Sequence, residues 1–174
     1  MMDSRLICAT DTNIWIQLYH GEITEQVFIL PFKFISTDLV INEIEYPDGA
    51  ELVAELKSKG LDERELTGNQ VAELASLTTK HKKKGTSPVD LSALVLAKAT
   101  GVLLMTGDGG LRKAALEEKV RVHGMLWLLD EMVERKVLRP QDAVRALEKM
   151  LNKGARLPAR ECAECIRRWK AMSK

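Results

Sequence analysis

Short apolar runs alternate along this chain with longer stretches in which apolar residues recur every three or four positions. "RLICAT" (5–10), "FKFIS" (32–36), "VLLMT" (102–106) and "VRVHG" (120–124) read as short strands, the most apolar of them buried on both faces. "LDEREL" (61–66) is a further short strand or an extended link. Between these runs the period changes to that of a helix. Asp11 or Thr12 caps a helix that Gly21 ends, and "EITEQVFILP" predicts a second, short one stopped by Pro31. Thr37 or Asp38 caps another, with Leu39, Val40, Ile41 and Ile44 as its apolar positions. Helices over 47–58, broken by Gly60, and over 69–81 follow. Ser87 at the N-cap, Pro88 at N1, the stripe Leu91, Leu94, Val95 and a closing Gly101 mark the next helix. "GGLRKAALEEK" is one more, and beyond residue 124 the pattern is helical at 125–136, 140–152 and 158–172.

Strands alternating with helices predict an α/β protein, a mostly parallel central sheet covered by helices. The expected organisation is one domain over 1–125 with a helical extension over 126–174. No apolar run approaches the ~20 residues that cross a bilayer, so no membrane partner is expected. The N-terminal "MMDSRLICATD" has no long apolar core that would make a secretory signal. Three cysteines, an odd number, suit a reducing cytoplasm better than a disulfide framework. The net charge of +1 is uninformative, but its distribution is not. Residues 1–79 carry 5 Lys/Arg against 14 Asp/Glu, and residues 80–174 carry 21 against 11. An acidic site beside a basic surface is one arrangement for handling nucleic acid; two solvated faces that differ is the other reading.

Four carboxylates stand out. Asp11 directly follows the first strand and Asp108 follows "VLLMT", so both fall at strand carboxyl ends, where open α/β sheets bind ligands. Asp90 opens the helix before the second of these strands, and Glu43 lies at the edge of an apolar helical stripe. Each has a plainer role available: Asp11 and Asp108 as N-caps, Asp90 as the acidic partner of a capping box with Ser87, Glu43 as a solvated helix residue. Together they form a candidate cluster of hard oxygen donors, suited to Mg²⁺ or Mn²⁺ and hence to phosphodiester chemistry.

The order of these residues resembles that of the PIN-domain nucleases. The likeness lies in "ATDTNIWI", in "LVINEIE" and in "VDLSALVLAKATGVLLMTGDGGLRKAA", and covers residues 5 to about 125. Toxins of toxin–antitoxin operons within that family (VapC-type) are of similar size, and the helical tail is similar to an extension of one PIN subgroup. The resemblance implies a three-layer α/β/α sandwich and metal-dependent ribonuclease activity. By it, Asp11, Glu43, Asp90 and Asp108 hold one or two divalent ions, with Thr106 and Asn13 supporting the site. Arg112 and Lys113 would touch the phosphate backbone of the RNA substrate. It implies direct hydrolysis by an ion-activated water attacking phosphorus in line, leaving 5′-phosphate and 3′-hydroxyl ends. An antitoxin protein and a homodimer are partners it suggests. A catalytically silent PIN-like module that binds nucleic acid or protein is the alternative, and a silent relative is expected to lack at least one of the four acids.

Gly109-Gly110 reads as a looser turn than the family usually has there, and "KHKKKG" and the basic tail are additions to its pattern. Lys82, Lys83 and Lys84 are either a solvated helix end or a sequence-independent RNA contact. Cys162 and Cys165 stand at helical spacing with Ile166 and Trp169, which reads as packing rather than half a zinc site. A haloacid-dehalogenase-like phosphatase is disfavoured, because Asn13 stands where that family needs its second aspartate.

Overall fold

The computed structural model describes residues 5–173. Five strands, β1 (Leu6–Thr10), β2 (Phe32–Thr37), β3 (Asp62–Arg64), β4 (Leu103–Met105) and β5 (Val122–His123), form one sheet in the order β3-β2-β1-β4-β5. Every pairing is parallel, so the sheet is more uniform than the sequence required. Leu103, Leu104 and Met105 are at most 2% exposed, as expected of a strand covered on both faces.

The connecting helices are α1 (Thr12–His20), α2 (Thr24–Val27), α3 (Asp38–Glu45), α4 (Ala50–Lys59), α5 (Gly68–Lys80), α6 (Pro88–Thr100) and α7 (Gly109–Glu117). Three more, α8 (Met125–Glu134), α9 (Pro140–Asn152) and α10 (Ala159–Met172), follow the last strand. Their ends obey the local chemistry. Asp11, Thr37, Thr67, Ser87 and Asp108 each accept a backbone N–H at a helix start. Gly60 and Gly101 close α4 and α6 in the left-handed conformation, which costs an L residue with a Cβ most.

Beneath the carboxyl ends of β1 and β2, the indole N–H of Trp15 donates to the hydroxyls of Thr10 (2.8 Å) and Ser36 (3.2 Å). Its ring stacks on Phe28 and meets Phe34 edge-on. This pins α1, and with it Asp11, to the sheet. Helix α9 packs on α1, where Gly21 lets Met150 approach so closely that a Cβ would lie 2.5 Å from the methionine Cε. Buried Trp169 of α10 donates to Asp130 of α8 at 2.9 Å, and Met125, Leu128 and Leu147 join the same hydrophobic core as the sheet. Cys162 and Cys165 are buried in this helical packing, as their spacing predicts. Among the described residues no helix is long and apolar enough to cross a membrane.

Candidate active site

Strand β1 leads to its left-hand neighbour β2, and β4 leads to its right-hand neighbour β5, so the winding reverses between β1 and β4. At such a switch point the outgoing segments diverge and leave a crevice at the strand carboxyl ends. Asp11 and Asp108 flank it. The backbone N–H of Asp11 donates to Met105 O at 3.2 Å, which continues the β1–β4 ladder into the site.

Thr106 ties the two acids together. Its hydroxyl donates to Asp11 Oδ2 and accepts the backbone N–H of Asp108 at 3.0 Å. The other oxygen of Asp11 caps α1 through Ile14 N at 3.1 Å, and Asp108 Oδ1 caps α7 through Leu111 N at 2.6 Å. Asp90 completes the capping box of α6: its Oδ2 accepts Ser87 N (3.0 Å) and Ser87 Oγ (2.8 Å). Capping and clustering are therefore not alternatives. The N-termini of α1, α6 and α7 carry these three acids at one end of the sheet, and their dipoles favour negative charge there. Glu43 is exposed on α3, yet the hydroxyl of Thr12, next to Asp11, donates to its Oε2.

Asp11 is fully buried, and burial pushes its carboxyl up to about 7. The hydrogen bonds from Thr106 and Ile14 oppose this rise, and the charges of Asp90 and Asp108 add to it. Asp90 Oδ1, Asp108 Oδ2 and Glu43 Oε1 accept no hydrogen bond from the described residues. The donors are all carboxylate oxygens in excess of positive charge, which fits a hard divalent cation. Among the described residues, no three His, Cys, Asp or Glu side chains are gathered tightly enough to hold an ion as they stand.

Asn13 makes no bond to Asp11. It lines a cavity of about 480 Å³ together with Gln17, His20, Asp108, Lys153 and Arg156. Among the described residues, Gln17 Oε1, buried in that wall, has no hydrogen-bond partner. Arg112 is half-buried beside Gly124, and neither it nor Lys113 forms an ion pair among the described residues. The lysine segment is partly committed elsewhere. Lys84 pairs with Glu117 at 3.1 Å and Lys80 with Glu118 at 2.5 Å, while the ring of His81, fully buried, lies 3.1 Å from Glu118. Lys82 and Lys83 are exposed. Gly110 is not a loose turn residue: a Cβ there would sit 2.4 Å from the carbonyl oxygen of Lys84, so glycine is what lets this segment approach α7. Gln17 escaped the sequence reading and Thr12 was read only as a candidate cap, because only the folded α1 brings Thr12 to Glu43 and Gln17 to the cavity wall.

Among curated proteins no sequence matches the chain. A family model, DUF3368, whose description is PIN domain, matches residues 7–171 and so takes in the sheet, the acidic switch point and helices α8 to α10. With nearly the whole chain matched, this protein belongs to the PIN-domain family.

Proposed function

We propose that this protein is a divalent-metal-dependent endoribonuclease whose acidic site is Asp11, Glu43, Asp90 and Asp108. The PIN domain is a nuclease-type fold, and its members typically use divalent metals. The observation that carries the reading is geometric: Asp11, fully buried, is tied through Thr106 to Asp108 at the switch point, with Asp90 at the N-terminus of α6 close enough for its charge to act on Asp11. Carboxyl groups brought together against their mutual repulsion are a feature of functional sites.

Asp11, Asp90 and Asp108 would hold the cation, with Glu43 kept beside them by Thr12. When bound, Mg²⁺ or Mn²⁺ supplies Lewis acidity toward a phosphodiester and lowers the pKa of water. The remaining work falls to the chain. Thr106 fixes the spacing of the two strand-end acids through its two hydrogen bonds. Arg112 and Lys113 attract the substrate backbone, and exposed Lys82 and Lys83 add salt-sensitive affinity. The toxin role within a toxin–antitoxin pair rests on the resemblance of size and motif order. Growth arrest on expression, relieved by co-expressing a short neighbouring frame, is its test.

The chemistry is tested by analysing the ends of RNA fragments made by the purified protein. Fragments with 5′-phosphate and 3′-hydroxyl ends that form with Mg²⁺ or Mn²⁺ and not with EDTA are expected. Cleavage that persists in EDTA, or that leaves 2′,3′-cyclic phosphates, overturns the reading.

A further inference from the structure

A second cavity, of about 940 Å³, adjoins the acidic crevice, and its volume is in the range of ligand-binding pockets. Gly107, Gly109 and Arg156 line both cavities. The walls of the second come from the β4–α7 turn, the start of α8 and the link between α9 and α10. Met125, Leu126, Trp127 and Leu157 make it largely apolar. Phe32, Trp127 and His123 form a column of near-parallel rings, with centroids 5.8 Å and 4.3 Å apart, and His123 ends it. Burial, with Arg112 and Arg121 nearby, pushes the His123 imidazole down from its ordinary value, which favours the uncharged ring.

Charge defines what such a cavity takes. Arg112 and Arg156 stand in its lining and Lys153 in that of its neighbour, none of them ion-paired among the described residues. Among the described residues elsewhere on and between α8 to α10, Arg135, Arg139, Arg145, Arg160 and Arg168 are paired, while Arg167 is not. Cations flanking an apolar, ring-ended cavity beside a carboxylate cluster match a nucleotide strand: phosphates outside, a base within. Glu161 in the lining is an acceptor for the N–H groups that bases carry on their pairing edges. In a duplex those edges are already occupied. Gln17, whose amide oxygen has no hydrogen-bond partner among the described residues, lines the neighbouring cavity, and its side-chain amide is of the chemistry that a ribose 2′-hydroxyl pairs with.

We infer that this cavity is a nucleobase subsite: one unpaired base of a single-stranded RNA enters it against His123, while Arg112 and Arg156 hold the adjacent phosphates at the acidic crevice. The inference rests on the nuclease reading of the crevice. It makes the α9–α10 link, residues 153–158, a wall that selects single strands.

The test is equilibrium binding of the full-length protein to fluorescently labelled oligonucleotides in EDTA, so that binding is read without cleavage. Single-stranded RNA should bind about tenfold or more tighter than the same strand with its bases replaced by abasic spacers, the size of one stacked base. It should also bind tighter than its duplex and than single-stranded DNA. His123→Ala should weaken the intact strand about tenfold and leave the abasic strand unchanged. Arg156→Ala, a change of an exposed, unpaired side chain, should weaken both equally and lower the salt slope by about 0.7. Equal affinity for intact and abasic strands, or for duplex and single strand, overturns the subsite. Equal affinity for DNA and RNA removes the 2′-hydroxyl contact at Gln17 and with it the choice of RNA. Base-dependent binding by a protein that never cleaves would instead overturn the nuclease reading.

Discussion

Asp11→Asn should stabilise the metal-free protein at alkaline pH and destabilise it slightly in acid. The Asp11 carboxyl is fully buried and stands at about 7 in the fold, against an ordinary value of 3.8. Its folded value lies above its unfolded one, so the native state prefers the protonated form. Stability is therefore fully present below about pH 4 and is lost as pH rises through 7. The whole cost at pH 8 is at most about 4 kcal/mol, taking about 1.4 kcal/mol per pKa unit. Asparagine removes that cost and still caps α1 through its carbonyl oxygen. Its amide, however, cannot accept the Thr106 hydroxyl, a loss of about 1 kcal/mol. A net gain of at most about 3 kcal/mol at pH 8 follows, or up to roughly 6–12 °C in Tm for a domain of this size. At pH 4 only the lost hydrogen bond remains, about 1 kcal/mol against the variant. Thermal unfolding from pH 4 to 8 in EDTA measures both limbs. With saturating Mg²⁺ the wild type should regain stability through linkage, and the variant less. A difference between the two proteins that does not change with pH refutes the reasoning.

Four further outcomes follow from the same contacts. Thr12→Val removes the hydroxyl that donates to Glu43; cleavage should fall about tenfold or more with unchanged unfolding midpoints, the size of one lost charged hydrogen bond. Glu118 is held at about 2, first by Lys80 and then by Lys98 and His81, so its stabilising contribution is present above its ordinary 4.5 and is lost as pH falls toward 2. Because Lys80 and Lys98 are partly exposed, Glu118→Gln should cost only about 1–2 kcal/mol at pH 7 after solvent screening, read by urea unfolding. Ser87→Ala breaks the capping box around Asp90 and should cost about 1 kcal/mol by the same assay. The three thiols are buried, with Cys8 pushed up to about 12, so a thiol reagent should label none until the protein unfolds.

What the sequence made legible was whatever local chemistry decides. The apolar runs at 5–10 and 102–106 became β1 and β4, and Ser87, Pro88 and Gly101 marked α6 at both ends. Asp11 and Asp108 were visible because each follows a strand. The contacts that give these residues their character were not, since they join positions far apart in the chain. Thr106 and Asp11 are separated by 95 residues, and Thr12 and Glu43 by 31. The lysine segment read as solvated or RNA-facing because nothing local reveals that Glu117 and Glu118 lie alongside it. The cavity beneath His123 exists only once α8 and the α9–α10 link close over the β4–α7 turn.

The most direct test of the acidic site is the single-turnover cleavage rate of a single-stranded RNA by the wild type and by Asp108→Asn, each with Mg²⁺. The substituted side chain keeps a carbonyl oxygen to cap α7 through Leu111, and the backbone N–H at this position still donates to Thr106, so the fold is preserved while one charge is removed. A rate that falls at least a hundredfold in the variant, with circular dichroism unchanged, is the predicted result. Cleavage by the variant at the wild-type rate would contradict the account, leaving Asp108 a helix cap and nothing more.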